Sequence, residues 1–217
     1  MKKLFIAIRK NDFETVKQLL ERKSELIACT AKQPPKKDDG QSPLQVSLKT
    51  GNFTVAELLL DLGADVNFIE ADSCCNEWRT PVIHDAINAA IMCSRWNVNS
   101  ELHGGLKVMH TKEEADLSFK ILKRIAELGA DVNALDSFGN SSLWRACLQA
   151  RQILPIYNHA TQTLSSSRLM TEELRYDLSR IFILLFEHGA DKNYIAANFD
   201  RAVKEYYKNE PLEQFLI

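Results

Sequence analysis

The 217-residue chain lacks a long apolar run, an excess of one charge and a paired set of cysteines. Without about 20 consecutive apolar residues, it carries no signal for a membrane-spanning helix. Its net charge of −2 provides no basic field that would attract nucleic acid. The five scattered cysteines fit a reducing compartment better than a disulfide framework. These absences favour a globular protein that binds neither nucleic acid nor membrane.

The start of the chain, "MKKLFIAIRKND", lacks the features of a signal peptide. Its apolar run is short, charge returns at Arg9-Lys10, and no small-residue cleavage site follows. We therefore expect an unprocessed, cytoplasmic protein. Secretion into a host cell stays open.

Catalytic and metal-binding motifs are also missing. The sequence contains no P-loop, dinucleotide-binding glycine turn, H-E-x-x-H or G-x-S-x-G. Cys74-Cys75, with His84 and Cys93 nearby, fits no standard zinc spacing. His84 is followed by Asp85, but adjacent residues on a helix do not face each other. We expect no enzyme, no cofactor and no metal, and we read Cys93 as buried.

What the sequence does contain is a repeat. "GADVN" occurs at Gly63–Asn67 and Gly129–Asn133, and "GADKN" at Gly189–Asn193. The glycine suits the left-handed residue that ends a helix, and the aspartate and asparagine favour a turn. Because one helix pair cannot bury its apolar face alone, a repeating helix-turn-helix unit must be stacked on its neighbours.

The first copy closes a complete helix pair. Ser42-Pro43 is an N-cap followed by a proline at the first helical position. Gly51-Asn52 makes a tight turn, and Phe53–Leu62 is a second helix with an apolar stripe.

The whole stretch "DGQSPLQVSLKTGNFTVAELLLDLGADVN" resembles an ankyrin repeat. Weaker similarity extends to "LFIAIRKNDFETVKQLLERKSEL", "RTPVIHDAI" with "RIAELGADVN", "DSFGNSSLWRACL" with "LLFEHGADKN", and the closing "NFDRAVKEYYKNEPLEQFLI". The resemblance implies an all-α ankyrin-repeat solenoid of stacked helix-turn-helix units, with two enlarged repeats and a degenerate C-terminal cap. It implies one domain over residues 1–217, with units at about 1–36, 37–69, 70–135, 136–195 and 196–217.

The spacing of the copies departs from the family. They lie 66 and 60 residues apart, whereas the ankyrin period is about 33. No second start signal lies in either gap, so we infer insertions inside the third and fourth helix pairs. Thr111 with Glu114 forms a capping-box pattern, and Thr171 precedes two glutamates. The second helices would then be about 17 residues long.

We expect the other extra residues to lengthen the first helices and to form loops. The two inserts should pack side by side as a shared four-helix extension, through Leu117, Phe119, Leu174, Tyr176 and Leu178. Their tips, near Gly104-Gly105 and Ser165–Ser167, should be mobile.

One second helix is unusually apolar. Ile181–Phe186 reads "IFILLF", and a helix that is apolar on all sides is normally covered on all sides. We expect the closing segment to cover it, through Tyr206, Tyr207, Phe215 and Leu216. A partner protein or a second copy of the chain is the alternative cover.

By resemblance, the protein is an interaction scaffold or adaptor. Another protein would bind the concave surface formed by the loop tips and first helices, and the scaffold itself would be a monomer. Trp78 and Phe138 are candidate aromatic anchors, or both tuck against the neighbouring hairpin. The alternative is an enzyme or a bacterial effector module with a site in the inserted helical lobe. The matching surface positions are Asp38, Asp39, Gln41, Lys49, Asn76, Glu77, Trp78, Arg79, Ser137, Phe138 and Asn140.

Overall fold

The computed structural model describes residues 1–101, 104–165 and 167–217, and it is mostly helical. His103 and Ser166, which the sequence places in the inserted loops, lie outside the described residues. Within those residues no helix is both long enough and apolar enough to cross a membrane. The elements in chain order are α1 Lys2–Arg9, α2 Phe13–Arg22, α3 Pro43–Lys49, α4 Phe53–Asp61, α5 Val82–Met92, β1 Asn97–Ser100, β2 Gly105–Val108, α6 Lys112–Glu127, α7 Ser142–Ala150, β3 Tyr157–Asn158, β4 Thr163–Leu164, α8 Glu172–Glu187 and α9 Val203–Tyr206. Short 3-10 turns lie at Ser24–Ala28, Lys36–Asp38 and Glu213–Phe215.

The helices form two layers. One layer holds the first helix of each pair, because α1 packs on α3, α3 on α5, and α5 on α7. The other holds the second helices, with α2 on α4, α4 on α6, and α6 on α8. Each pair thus contacts mainly its neighbours, as in a stacked helical array. The apolar core runs between the layers from Leu4 to Leu216.

The repeated "GAD-x-N" turn joins neighbouring pairs directly. Each glycine has a positive φ, near +85°, at the end of its helix. The Asn67 side chain donates to the Gly129 carbonyl at 3.1 Å and accepts from the Asp131 N–H at 2.8 Å. Asn133 makes the same two bonds to Gly189 and Asp191, at 2.9 Å each. Because adjacent copies are bonded to each other, no repeat lies between them. We call this chain of bonds the asparagine ladder.

The starts of the two long second helices agree with the sequence. The Thr111 hydroxyl accepts from the Glu114 N–H at 3.2 Å, and the Glu114 carboxylate accepts from the Thr111 N–H at 2.9 Å. The Thr171 hydroxyl accepts from the Leu174 N–H at 3.3 Å. Both helices have 16 residues. These caps satisfy N–H groups that have no partner inside the helix.

The prediction of a four-helix extension is wrong, because the extra residues form β-hairpins instead. β1 pairs antiparallel with β2, and β3 with β4. The first helices are lengthened only a little, to 11 residues in α5 and nine in α7 against seven in α3. Tyr176, which we expected inside the extension, is exposed, whereas Leu174 and Leu178 are buried. The strands pair within each hairpin, and the Asn99 N–H of β1 donates to the Ser167 carbonyl of the other insert at 2.8 Å.

The two inserted regions do contact each other, through polar groups. The Asn97 side chain accepts from the Leu169 N–H and donates to the Leu169 carbonyl, both at 2.8 Å. The Arg95 guanidinium makes two 2.9 Å hydrogen bonds to the buried Asp177 carboxylate. A bidentate pair of this kind fixes orientation as well as distance.

The closing segment covers α8 only in part as expected, because Phe215 lies on α8 whereas Tyr206 and Tyr207 lie against Trp144 of α7. Phe215 stacks on Phe182 with ring centroids 5.5 Å apart, and both rings are buried. Phe199 stacks on Trp144 at 3.8 Å, and buried Tyr207 lies against the same indole. Ile183 is the exception, because it remains half exposed. The end of the stack is therefore closed mainly by aromatic side chains.

Candidate functional site

The candidate site lies on the layer of first helices, where a groove of about 290 Å³ crosses α3, α5 and α7. Short helices and the loops that precede them set its walls. α3 begins at Pro43 after a capping box between Ser42 and Gln45. We call this cavity the first-helix groove; its lining is Leu48, Lys49, Trp78, Asp85, Asn88, Ala89, Met92 and Gln149.

Buried acids hold the loops beside the groove in register. Glu70 accepts from the Thr80 N–H at 2.7 Å and from the Gln41 side chain at 3.1 Å. Asp39 accepts from the Cys75 N–H at 2.9 Å, and these bonds hold the pKa of Asp39 below its usual value. The loops thus form a connected rim rather than separate flexible tips.

Four of the eleven predicted surface residues are inside this network. Asp38 is buried and pairs with Arg9 at 2.6 Å. Asp39 and Gln41 are buried and make the hydrogen bonds described above. Asn140 is buried and donates to the Asp136 carboxylate. Since all four side chains are buried and each makes a hydrogen bond or ion pair inside the chain, they hold the loops together, and we leave them out of the proposed binding surface.

The other seven reach solvent to different degrees. Trp78 and Phe138 have exposed fractions of 42% and 49%. Ser137 links the loop before α7 to the loop before α5. Its hydroxyl donates to the Glu77 carbonyl at 2.7 Å and accepts from the Arg79 N–H at 3.0 Å. Lys49, Glu77 and Ser137 are exposed, whereas Asn76 and Arg79 are half-buried.

Trp78 is fixed in place although it is half exposed. Its indole N–H donates to the Asp136 carboxylate at 3.2 Å, and the Arg145 guanidinium lies 4.9 Å from the ring centroid. Burial lowers the pKa of Arg145, while Asp136 and Asp85 oppose that effect. One face of the indole therefore carries a cation–π contact, and the ring also lines the groove.

His84 and Asp85 sit side by side on α5 in a dry environment. Burial lowers the pKa of His84 to about 4, so its imidazole is neutral near pH 7. Burial raises the pKa of Asp85 to about 7, and Lys49 opposes that effect. The two side chains point to different surroundings, as their adjacency predicts, because His84 is buried against the Asp136 and Arg145 side while Asp85 lines the groove.

The cysteines and histidines do not converge. Within the described ranges no group of His, Cys, Asp and Glu could hold a metal ion. All five cysteines are free, and Cys93 is half-buried rather than buried. Burial raises the pKa of the Cys75 and Cys147 thiols, which disfavours the reactive thiolate form.

A second cavity of about 300 Å³ lies between the β3–β4 hairpin and the closing segment. Its lining includes Tyr157, Leu164 and Met170 together with the charged residues Arg175 and Glu210. Glu210 already pairs with His159 at 3.1 Å. This cavity lies in the region where the sequence predicted an inserted helical lobe.

Sequence reasoning found Lys49 and Trp78 but missed the floor of the groove. Asp85 and Asn88 are polar residues one turn apart within the apolar helix "VIHDAINAAIM", and Gln149 is the matching polar residue on α7. A polar stripe on an otherwise buried helix is the signal that could have identified them.

The described geometry agrees with a match to a known family. The family model for ankyrin repeats (three copies) matches residues 3–70, which span α1 to α4 and the following loop. None of the curated proteins matches the chain. Ankyrin repeats are in general protein-interaction modules and are typically not enzymes.

Proposed function

We propose, from the ankyrin repeats that the chain carries over residues 3–70, that it is a protein-interaction module. Its partner, another protein, would bind across the first-helix groove and the adjoining loop tips. The observation that carries this proposal is the groove itself, which crosses three successive first helices and has Trp78 in its lining.

The proposal includes the rest of the stack. We infer that the helix pairs α5–α6 and α7–α8 are two enlarged ankyrin repeats and that residues 196–217 form a degenerate cap. Support comes from the asparagine ladder, which continues unchanged from Asn67 to Asn133 into the fourth pair. The groove would then belong to one continuous binding face.

The two aromatic residues suit a binding role. Tryptophan and other aromatics supply a large contact area and dominate many interfaces. Trp78 is held by Asp136 and Arg145 before any partner arrives, so little side-chain entropy is lost on binding. The Phe138 N–H donates to Asp136 at 2.9 Å, which fixes the backbone below its ring.

The proposed module acts as a monomer in a reducing, cytoplasmic environment. Its five free cysteines are compatible with that setting. The α8 surface that would favour self-association is largely covered by the closing segment.

The proposal is tested by capturing partners from the native cell with the full-length chain. A Trp78→Ala/Phe138→Ala variant should lose the proteins that the unchanged chain captures, with affinity falling by at least tenfold for a purified partner. The matched control is Tyr176→Ala/Ile183→Ala, because these two side chains are at least as exposed, at 59% and 53%, but lie on the second-helix layer.

A melting curve of each variant checks that the fold survives. Trp78 needs this check in particular, since its removal leaves the Asp136 carboxylate short of one donor. The proposal is overturned if the Trp78/Phe138 variant keeps every partner while the Tyr176/Ile183 variant loses them.

A further inference from the structure

The floor of the first-helix groove has acceptors with unused hydrogen-bonding capacity. Asp85 is buried, and in the described part of the chain its carboxylate has two side-chain donors, the Thr80 hydroxyl at 3.3 Å and the Gln45 amide. Among the described residues no cation lies within ion-pairing distance of Asp85. A carboxylate accepts up to about four hydrogen bonds, so about half of its capacity is unused.

A second acceptor lies one turn further along the same helix. The Asn88 side-chain oxygen is buried and has no hydrogen-bond partner in the described part of the chain. Asn88 also lines the groove, and its residue is only half-buried, so its amide can turn into the cavity. A buried acceptor without a donor costs about 1–3 kcal/mol, which a ligand that brings a donor would recover.

The walls around these acceptors are largely apolar. Leu48, Ala89 and Met92 line the cavity beside the acceptors, and Trp78 closes it on the loop side. A suitable ligand therefore combines an aliphatic stem with a head that donates several hydrogen bonds. Arginine has this form, because its three methylenes precede a planar group with five N–H donors.

We propose that the first-helix groove binds a protein segment that inserts one arginine side chain, whose guanidinium bonds the Asp85 carboxylate and the Asn88 oxygen. This proposal rests on the proposed interaction function and names the chemistry of the partner. Lys49 at the rim opposes a cation, but it is exposed and already donates to the Lys37 carbonyl at 3.4 Å, on the side of the loops. Arg145, the other nearby cation, lies over Trp78.

The proposal predicts that the affinity for arginine depends on pH, and the groups packed around Asp85 permit this dependence. These groups are Gln45 and Lys49 on α3, Glu70 and Thr80 on the preceding loop, and Arg145 on α7. A cation binds the ionised carboxylate, and burial places the pKa of Asp85 at about 7. Arginine binding should therefore strengthen about tenfold from pH 6 to pH 8, because the ionised fraction rises by that factor.

The test uses the full-length chain and a displayed library of random 12-residue peptides as the probe. Peptides selected by the unchanged chain should share one arginine flanked by apolar residues. Replacing that arginine by glutamine, or Asp85 by asparagine, should each weaken binding at least tenfold. The two changes together should cost no more than either alone, because they remove the same interaction.

Two further variants separate the specific contact from general effects. Asp72→Asn also removes one negative charge, from an exposed loop position outside the lining of the groove, and should leave affinity unchanged. Asn88→Ala should weaken the peptide about threefold to tenfold without changing its pH dependence. Asp85→Asn should abolish the pH dependence.

The failures of the two proposals differ. Peptides that depend on Trp78 but carry no arginine would overturn the arginine proposal and leave the interaction function standing. Peptides that bind the Asp85→Asn variant as tightly as the unchanged chain would also overturn the arginine proposal and leave the interaction function standing. If no selected peptide depends on any residue of the groove, both proposals fail.

Discussion

The asparagine of the repeated turn links one helix pair to the next. Asn67 and Asn133 each bond the glycine and the aspartate of the following copy. Within each copy the aspartate carboxylate accepts from the asparagine N–H, at 2.8 or 2.9 Å. The asparagine thus takes part in the turn and also links one helix pair to the next.

The ladder offers a matched pair of substitutions. Asn133→Ala should lower the free energy of unfolding by about 1–2 kcal/mol, because two side-chain hydrogen bonds are lost at an exposed position. Asn193→Ala should change it by less than about 0.5 kcal/mol, since the described chain has no following copy for Asn193 to bond. Urea unfolding measures both. Equal losses at the two positions would contradict this account of the ladder.

Asp85 makes the stability of the protein depend on pH. Its pKa rises from 3.8 in the unfolded chain to about 7 in the fold, so the folded state prefers the protonated form. Stability from this group is fully present below pH 3.8 and is lost as the pH rises to about 7. An Asp85→Asn variant should therefore gain about 2–4 kcal/mol relative to the unchanged chain between pH 5 and pH 8.

His84 acts in the opposite direction but cancels in this comparison. Its pKa falls from 6.5 to about 4, so stability is lost as the pH decreases through that range. Because both chains keep His84, the difference between them reports Asp85 alone. Thermal melts at pH 5 and pH 8 give the result, and a difference that does not grow with pH would contradict the buried position of this carboxylate.

At the scale of elements, local chemistry predicted the helices better than the inserts. Thr111 and Thr171 cap their helices through hydrogen bonds within one turn. A stretch of four residues is therefore enough to predict where each helix begins. The strands β3 and β4 have two residues each, which is too short for an alternating pattern. β1 reads "NVNS" and depends on pairing with β2 and on contacts with the second insert. Such nonlocal causes leave no local signature.

The proposed binding face shows the same limit of prediction from local sequence. Lys49 and Trp78 could be placed on the groove because their positions follow the repeat pattern. The burial of Asp38 depends instead on Arg9, which is 29 residues away in the sequence. The position of Asp136 under Trp78 likewise requires two loops to meet. Contacts between repeats therefore decide which loop residues reach solvent.

The two inserts should behave as one coupled element. Replacing residues 97–108 by a short flexible linker removes Asn97, which bonds both backbone groups of Leu169. Replacing residues 156–169 removes the same contact from the other side. The double replacement should cost about 1–2 kcal/mol less than the two single losses combined, because the shared contact is counted once. Urea unfolding of the three variants tests this, and additive losses would show that the inserts are independent.

At the scale of the whole molecule, the stack is open at its ends and needs closing. A helical array exposes the apolar face of its last pair unless another segment covers it. Here the last pair presents Trp144 and Phe182, and the closing segment covers them with Phe199, Tyr207 and Phe215. Neither Trp144 nor Phe182 is more than 1% exposed in the full chain.

Ending the chain at Asn193 should therefore cause self-association. The truncation uncovers two large aromatic side chains together with their aliphatic neighbours, a patch of the kind that soluble monomers avoid. Light scattering should show dimers or aggregates, and the melting temperature should fall. Removal of Ile217 alone is the matched control, because that residue is 80% exposed and should leave both measurements unchanged. A truncated chain that stays monomeric with unaltered melting would mean that the aromatic contacts at this end contribute little to the stack.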